Sequence, residues 1–133
     1  MIRKPAAIGD KVTFRKTMTV AEQAMFTGIS GNLGGLYVDR PTAREGGLAD
    51  MAVFEMAAAS LLSTCLQRLS GPGLRIASIT IDFDRSIPVG ATVAATAELA
   101  AIDDGWQTYS LLLEVEGAVL SRGSAVLVPV TAR

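Results

Sequence analysis

The chain has 133 residues, half of them apolar, with 12 lysines and arginines against 13 aspartates and glutamates, and no histidine. That length and apolar content suffice for one domain, residues 1–133, whose core needs no metal or disulfide, and the near-neutral balance argues against a surface built for nucleic-acid phosphates. The lack of histidine removes Ser-His-Asp and Cys-His catalysis, the usual catalytic zinc sites and imidazole as a general base, so proton transfer falls to carboxylates, tyrosine, lysine, hydroxyls or water.

The start carries Arg3 and Lys4 but no long apolar run behind them, so a signal peptide is not expected. No stretch reaches the roughly 18 apolar residues that a membrane span needs. Ile8-Gly9-Asp10 reads as a turn, and residues 11–18 alternate, with Val12 and Phe14 on one side, as a half-buried strand does. Thr19 and Glu22 form a capping box, in which each side chain satisfies an amide at a helix start. That helix runs through Ala24, Met25 and Phe26 and stops between Gly28 and Gly31. Residues 31–47 read as a long irregular loop, with Gly34-Gly35, Pro41 and Gly46-Gly47 as breakers; a loop of that length in a compact domain often carries function.

The apolar residues of the segment 51–69 surround nearly the whole helical circumference, which predicts a helix buried on nearly all sides. Gly71-Pro72-Gly73 stops it. The remainder reads as antiparallel sheet. Ile79, Ile81 and Phe83 alternate with polar residues, then Val93, Ala95, Ala97 and Leu99. Asp103-Asp104-Gly105 is a hairpin signal, Tyr109, Leu111, Leu113 and Val115 form the next strand, and Glu116-Gly117 turns the chain into a last strand over 118–130. An antiparallel sheet wrapped around one long apolar helix is the economical packing, an α+β arrangement of the hot-dog type; a cystatin-like α+β roll is the competing fold, though its long helix usually precedes its strands. Cys65 is the single cysteine; it makes no intrachain disulfide or thiolate cluster, fits a reducing cytoplasm, and reads as a small core residue rather than a nucleophile.

Several motifs carry a resemblance over most of the chain. Ile8-Gly9-Asp10 followed by Thr19-Val20-Ala21-Glu22, then Ser30-Gly31-Asn32-Leu33-Gly34-Gly35-Leu36-Tyr37-Val38-Asp39, then Phe54-Glu55-Met56 and Ser60-Leu61-Leu62-Ser63, resemble the MaoC-like dehydratases, including the R-specific enoyl-CoA hydratases. The second stretch is similar to the hydratase signature S-G-D-x-N-P-x-H-x-D. The resemblance implies a hot-dog fold, a homodimer or higher homo-oligomer, and water addition to or removal from an acyl thioester carried by coenzyme A or acyl carrier protein. It implies no cofactor beyond the coenzyme A of the substrate, and no metal.

The resemblance implies catalytic positions at Asn32, Tyr37, Glu55 and Ser63, with Asp39, Phe54 and Met56 as substrate-binding positions. The letters differ from the family pattern. Asn32 stands at the Asp position and Tyr37 at the His position; Phe54 and Glu55 stand where the family has His and Gly of H-G-M. Asn32 binds water but does not take its proton, and a tyrosine, with an unperturbed pKa of about 10, is a donor at neutral pH. The family's acid–base pair therefore does not operate here in its usual form. Glu55 and Asp39 are the carboxylates left as replacement bases.

Glu55 is read either as that base or as an acid in a first helical turn, where the helix dipole favours it. Ser63, eight residues after Glu55 and about two helical turns on, is either a site residue or a small residue that permits close packing. Asp50, just before the helix, is read as a loop or capping carboxylate. Besides the hydratase reading stand an acyl-CoA thioesterase using Glu55, and a non-catalytic acyl-binding or partner subunit.

Overall fold

The computed structural model describes residues 5–133. Arg3 and Lys4 of the basic start lie outside the described residues. In chain order the elements are β1 (Lys11–Thr17), α1 (Val20–Ser30), α2 (Gly35–Val38), α3 (Arg40–Glu45), α4 (Glu55–Ser70), β2 (Leu74–Phe83), β3 (Thr92–Asp103), β4 (Trp106–Val115) and β5 (Ala118–Pro129). The strands form one antiparallel sheet in the order β1-β3-β4-β5-β2.

The alternation of β3 and β4 is realised directly. Val93, Ala95, Ala97 and Leu99 of β3, and Tyr109, Leu111 and Leu113 of β4, are all buried and join one core with α4. On the other face Thr13 pairs with Thr96, and Thr17 with Thr92, through their hydroxyls. The small Ala95 and Ala97 let the helix come close: the Cys65 thiol donates to the Ala95 carbonyl at 3.3 Å. Burial raises the Cys65 pKa above the ordinary thiol value, which fits a core residue. Arg68, near the end of α4, lies over the Phe14 ring of β1 at 5.2 Å from its centroid.

Two hairpins fold as their residues dictate. Asp104 and Gly105 have φ of 49° and 82°, and Glu116 and Gly117 have 50° and 80°. Two successive left-handed residues make the type I′ turn whose twist matches the strands on either side.

Three expectations need correction. Residues 31–47 are not irregular: α2 and α3 occupy most of them. Gly34 O accepts the Tyr37 and Val38 amides, and Asp39 caps α3 by accepting from the Thr42 amide at 3.2 Å. The long helix begins at Glu55, not at Met51. Residues 51–54 run extended because their backbone bonds go elsewhere: Ala52 N donates to Leu36 O, Val53 N to Ile87 O, and Met51 O accepts from Val89 N. Nor is α4 covered on all sides. Met56, Ser60, Ser63 and Gln67, spaced on one face, form an open stripe, with Met56 66% exposed.

The reason lies in the topology. α4 packs on β1, β3 and β4, while β2 crosses to the far edge and pairs with β5 rather than with its chain neighbour β3. Ile81 and Phe83 of β2 still reach the core, but Ile79 does not and is 46% exposed. Among the described residues no helix is long and apolar enough to cross a membrane.

Candidate active site

The site is assembled at the start of α4. The Tyr37 hydroxyl donates to Glu55 Oε1 at 2.6 Å. Tyr37 is half-buried, and its ring stacks on Phe54 with centroids 4.4 Å apart and planes 17° from parallel. Phe54 in turn packs against Phe26 of α1 at 4.9 Å. The hydrogen bond to the Glu55 carboxylate, with partial burial and the carboxylate's charge adding to it, pushes the Tyr37 phenol up to about 12. Tyr37 is therefore a proton-bearing donor throughout the neutral range, and Glu55 is the acceptor.

Glu55 is the first residue of α4, and its N-cap, Phe54, provides no side-chain cap. The first amides of a helix have no carbonyl partner within it and point out of its N-terminus, where negative charge is favoured. A carboxylate and a set of backbone donors thus sit at one place.

Asn32 lies beside Tyr37. Its Oδ1 accepts from the Gly34 amide at 2.8 Å, a local turn that leaves the residue exposed. A methyl group at Gly34 would lie 3.0 Å from Asn32 Oδ1 and 3.3 Å from Tyr37 Cδ2, so the two side chains flank the bare glycine. Tyr37, Phe54 and Glu55 are thus brought together, with Asn32 beside Tyr37 across Gly34.

The other expected positions are placed differently. The Asp39 carboxylate is engaged in capping α3 through the amide and the hydroxyl of Thr42. Ser63 Oγ donates to the Ser60 carbonyl at 2.6 Å, on the open stripe of α4. Met56 lies on that stripe as well. Beside the stripe runs a cleft of about 370 Å³ lined by Ser63, Gln67, Leu74, Ile76 and Leu127, between α4 and the edge strand β2. Asp50 acts in the loop: it accepts from Arg40 Nε and from the Met51 amide, each at 2.7 Å, and the Arg40 bond above all holds its pKa below the usual carboxylate value.

Gln23 is the residue that sequence reasoning missed. It lies on α1 and is 4% exposed. Its Nε2 donates to the carbonyls of Tyr37 and Ala52, both at 2.8 Å, and its Oε1 accepts from the Phe54 amide at 3.3 Å. A glutamine in a short helix after a capping box reads as solvated, and nothing in the local pattern says otherwise. Among the described residues no group of three or more histidine, cysteine, aspartate or glutamate side chains is placed to hold a metal ion.

No family model matches the chain, and no curated protein matches its sequence. Its structure does have counterparts. The (R)-hydratase from A. caviae involved in PHA biosynthesis is similar with a TM-score of 0.88 and 27% identity, over 92% of this chain and 96% of that one. The MaoC-like dehydratase from Rhodospirillum rubrum is similar with a TM-score of 0.74 and 18% identity, over 92% of each chain. The HadBC (3R-hydroxyacyl-ACP dehydratase) complex from Mycobacterium tuberculosis is similar with a TM-score of 0.77 and 11% identity, over 90% of this chain and 96% of that one. The chain has the hot-dog fold, an α+β fold that it shares with these hydratases and dehydratases.

Proposed function

We propose that the protein is a hydratase or dehydratase of acyl thioesters in which Glu55, held by Tyr37, moves the proton. The observation that carries this reading is the 2.6 Å hydrogen bond from the Tyr37 hydroxyl to Glu55 Oε1 at the mouth of α4. It supports the reading by holding a carboxylate beside a helix N-terminus, in the fold of the (R)-hydratase from A. caviae.

In the hydration direction, an enoyl thioester lies with its carbonyl oxygen at the first amides of α4. The water oxygen bonds to C3 as Glu55 Oε2 takes one of its protons. The C2–C3 π pair shifts toward the carbonyl, giving an enolate that the backbone N–H groups and the helix dipole stabilise. C2 then takes the proton from the Glu55 carboxyl, and the carbonyl re-forms. One water is added and Glu55 is regenerated; the reverse sequence is dehydration. Tyr37 keeps its own proton, occupies Oε1, and thereby turns Oε2 toward the water. The cleft between the α4 stripe and β2 is offered to the acyl chain. The carrier is coenzyme A or acyl carrier protein, and no further cofactor enters the chemistry.

Met56 on the open α4 stripe, with Ile76 and Ile79 on the edge strand β2, are exposed apolar side chains that a second copy would cover, so a homodimer or higher homo-oligomer belongs to this reading. Thioester hydrolysis is favoured next, because Glu55 lies beside the very donors that would bind the carbonyl. A non-catalytic subunit paired with a related chain stands third; the HadBC protein is itself a complex.

The test is mass spectrometry of saturated, enoyl and 3-hydroxyacyl thioesters incubated with the purified protein. Gain or loss of one water supports the proposal. Release of the free carrier thiol makes the protein a thioesterase. Return of every thioester unchanged, while a control hydratase turns over, removes the catalytic reading.

A further inference from the structure

We infer that Gln23 is a positioning residue for the Tyr37–Glu55 pair, because its one buried carboxamide ties the segment that carries Tyr37 to the segment that leads into Glu55. The inference rests on the hydratase reading for its meaning, though not for its test.

The geometry is specific. A primary amide has two N–H donors on one nitrogen and an acceptor oxygen, fixed in a plane. In Gln23 the nitrogen donates to Tyr37 O and Ala52 O at 2.8 Å each, and the oxygen accepts from Phe54 N at 3.3 Å. Both donor hydrogens and the acceptor are thus used, and they reach two separate pieces of chain. One piece is α2, four residues long, too short to hold Tyr37 in place by its own hydrogen bonds. The other is the extended run that delivers Phe54, immediately before Glu55. The stack of Tyr37 on Phe54 joins the same two pieces from the side-chain end.

The lesser role for such a residue is to satisfy buried backbone groups and nothing more. The two roles separate at Tyr37. Were Gln23 only a filler of hydrogen-bonding needs, its loss would weaken the fold uniformly and leave the hydroxyl on Glu55. As a positioning residue, its loss lets α2 drift from α4, and the Tyr37 hydroxyl leaves the carboxylate.

The measurement is the ionisation of Tyr37, read by tyrosinate absorbance at a pH of about 11, with the fold checked by circular dichroism at the same pH. The chain has two tyrosines, so the Tyr37→Phe variant isolates the Tyr37 signal from that of Tyr109. With the phenol held at about 12, roughly a tenth of Tyr37 is ionised there. In a folded Gln23→Met variant, which keeps the bulk and drops all three hydrogen bonds, about nine-tenths is expected as the pKa returns to about 10. If Gln23→Met does not fold, Gln23→Glu keeps the shape and the acceptor for Phe54 while losing both donors when ionised, and the same rise is expected.

A folded variant in which Tyr37 stays un-ionised overturns the inference, whatever the turnover does. A wild-type protein whose Tyr37 is already mostly ionised at that pH overturns the pair and the inference together. Because the readout needs no substrate, a wild type without turnover leaves it decisive: the catalytic reading fails alone. Where turnover exists, kcat should fall about tenfold in Gln23→Met with KM within about twofold.

Discussion

The Tyr37 hydroxyl and Glu55 Oε1 meet at 2.6 Å although 18 residues separate them in the chain. In the proposed reaction this contact assigns the proton transfer to one of the two groups. A phenol held at about 12 does not act as a base at neutral pH, and a phenol already donating to a carboxylate serves best by holding it. The Glu55 side chain stands at the start of a helix whose dipole favours negative charge and whose first amides face the same space.

Tyr37→Phe removes that donor and keeps the ring against Phe54. A hydrogen bond to a charged group is worth about 1.5–3 kcal/mol, so kcat should fall by roughly ten- to a hundredfold. Stability at neutral pH should fall only by the loss of that hydrogen bond, because the stack is retained. Steady-state kinetics and a denaturant titration on the same preparation check both halves.

The same pair gives a pH dependence with a definite sign. The folded-state pKa of Tyr37 is raised from 10 to about 12. The pair's stabilisation is therefore fully present below about pH 10 and lost as pH rises through about 12. Wild type should lose stability relative to Tyr37→Phe across that window, with the two parallel below it. Chemical denaturation midpoints of both proteins at stepped alkaline pH read the difference.

Phe54 stands between Phe26 and Tyr37 at the head of α4 and is buried. Phe54→Ala should cost about 3–5 kcal/mol, the usual loss for an aromatic removed from a core. It should also release Tyr37, so activity falls even under conditions where the variant is folded. Calorimetry gives the first effect and turnover the second.

Much of the sheet was legible because its physics is local. Val93 to Leu99 and Tyr109 to Leu113 alternate with period two, and Asp104-Gly105 supplies the left-handed pair that an I′ turn demands. The Thr19–Glu22 capping box was legible for the same reason. What escaped is non-local or too short to show a period. α2 and α3 have 4 and 6 residues, and breakers within them mask one or two helical turns. Met51 to Phe54 are apolar and look like helix, yet bonds to Leu36 and to residues 87–89 draw them out straight. The site shows the same division. Tyr37 and Glu55 stand out in sequence for separate reasons, but only the fold puts one on the other. Gln23 has no sequence signal, since its partners are backbone atoms 14 to 31 residues away.

One glycine marks a close approach. A Cβ at Gly123 in β5 would lie 2.1 Å from the Thr80 carbonyl oxygen and 3.0 Å from Ile81 Cα, both backbone atoms of β2. Neither yields without moving a strand. Gly123→Ala should therefore push β2 off the sheet or lower stability by at least the roughly 1–3 kcal/mol typical of overpacking. Hydrogen exchange should show lost protection in β2 before any in β3 and β4, which Gly123 does not crowd in this way.

The central claim is that Glu55 moves the proton, and the most direct measurement is the rate of water uptake by an enoyl thioester with wild type and with Glu55→Gln. The account predicts a fall of about 10²–10⁴-fold, the size of a general acid–base contribution, with an unchanged circular dichroism spectrum. A Glu55→Gln protein that hydrates the thioester within a few-fold of wild type would contradict it and take Glu55 out of the mechanism.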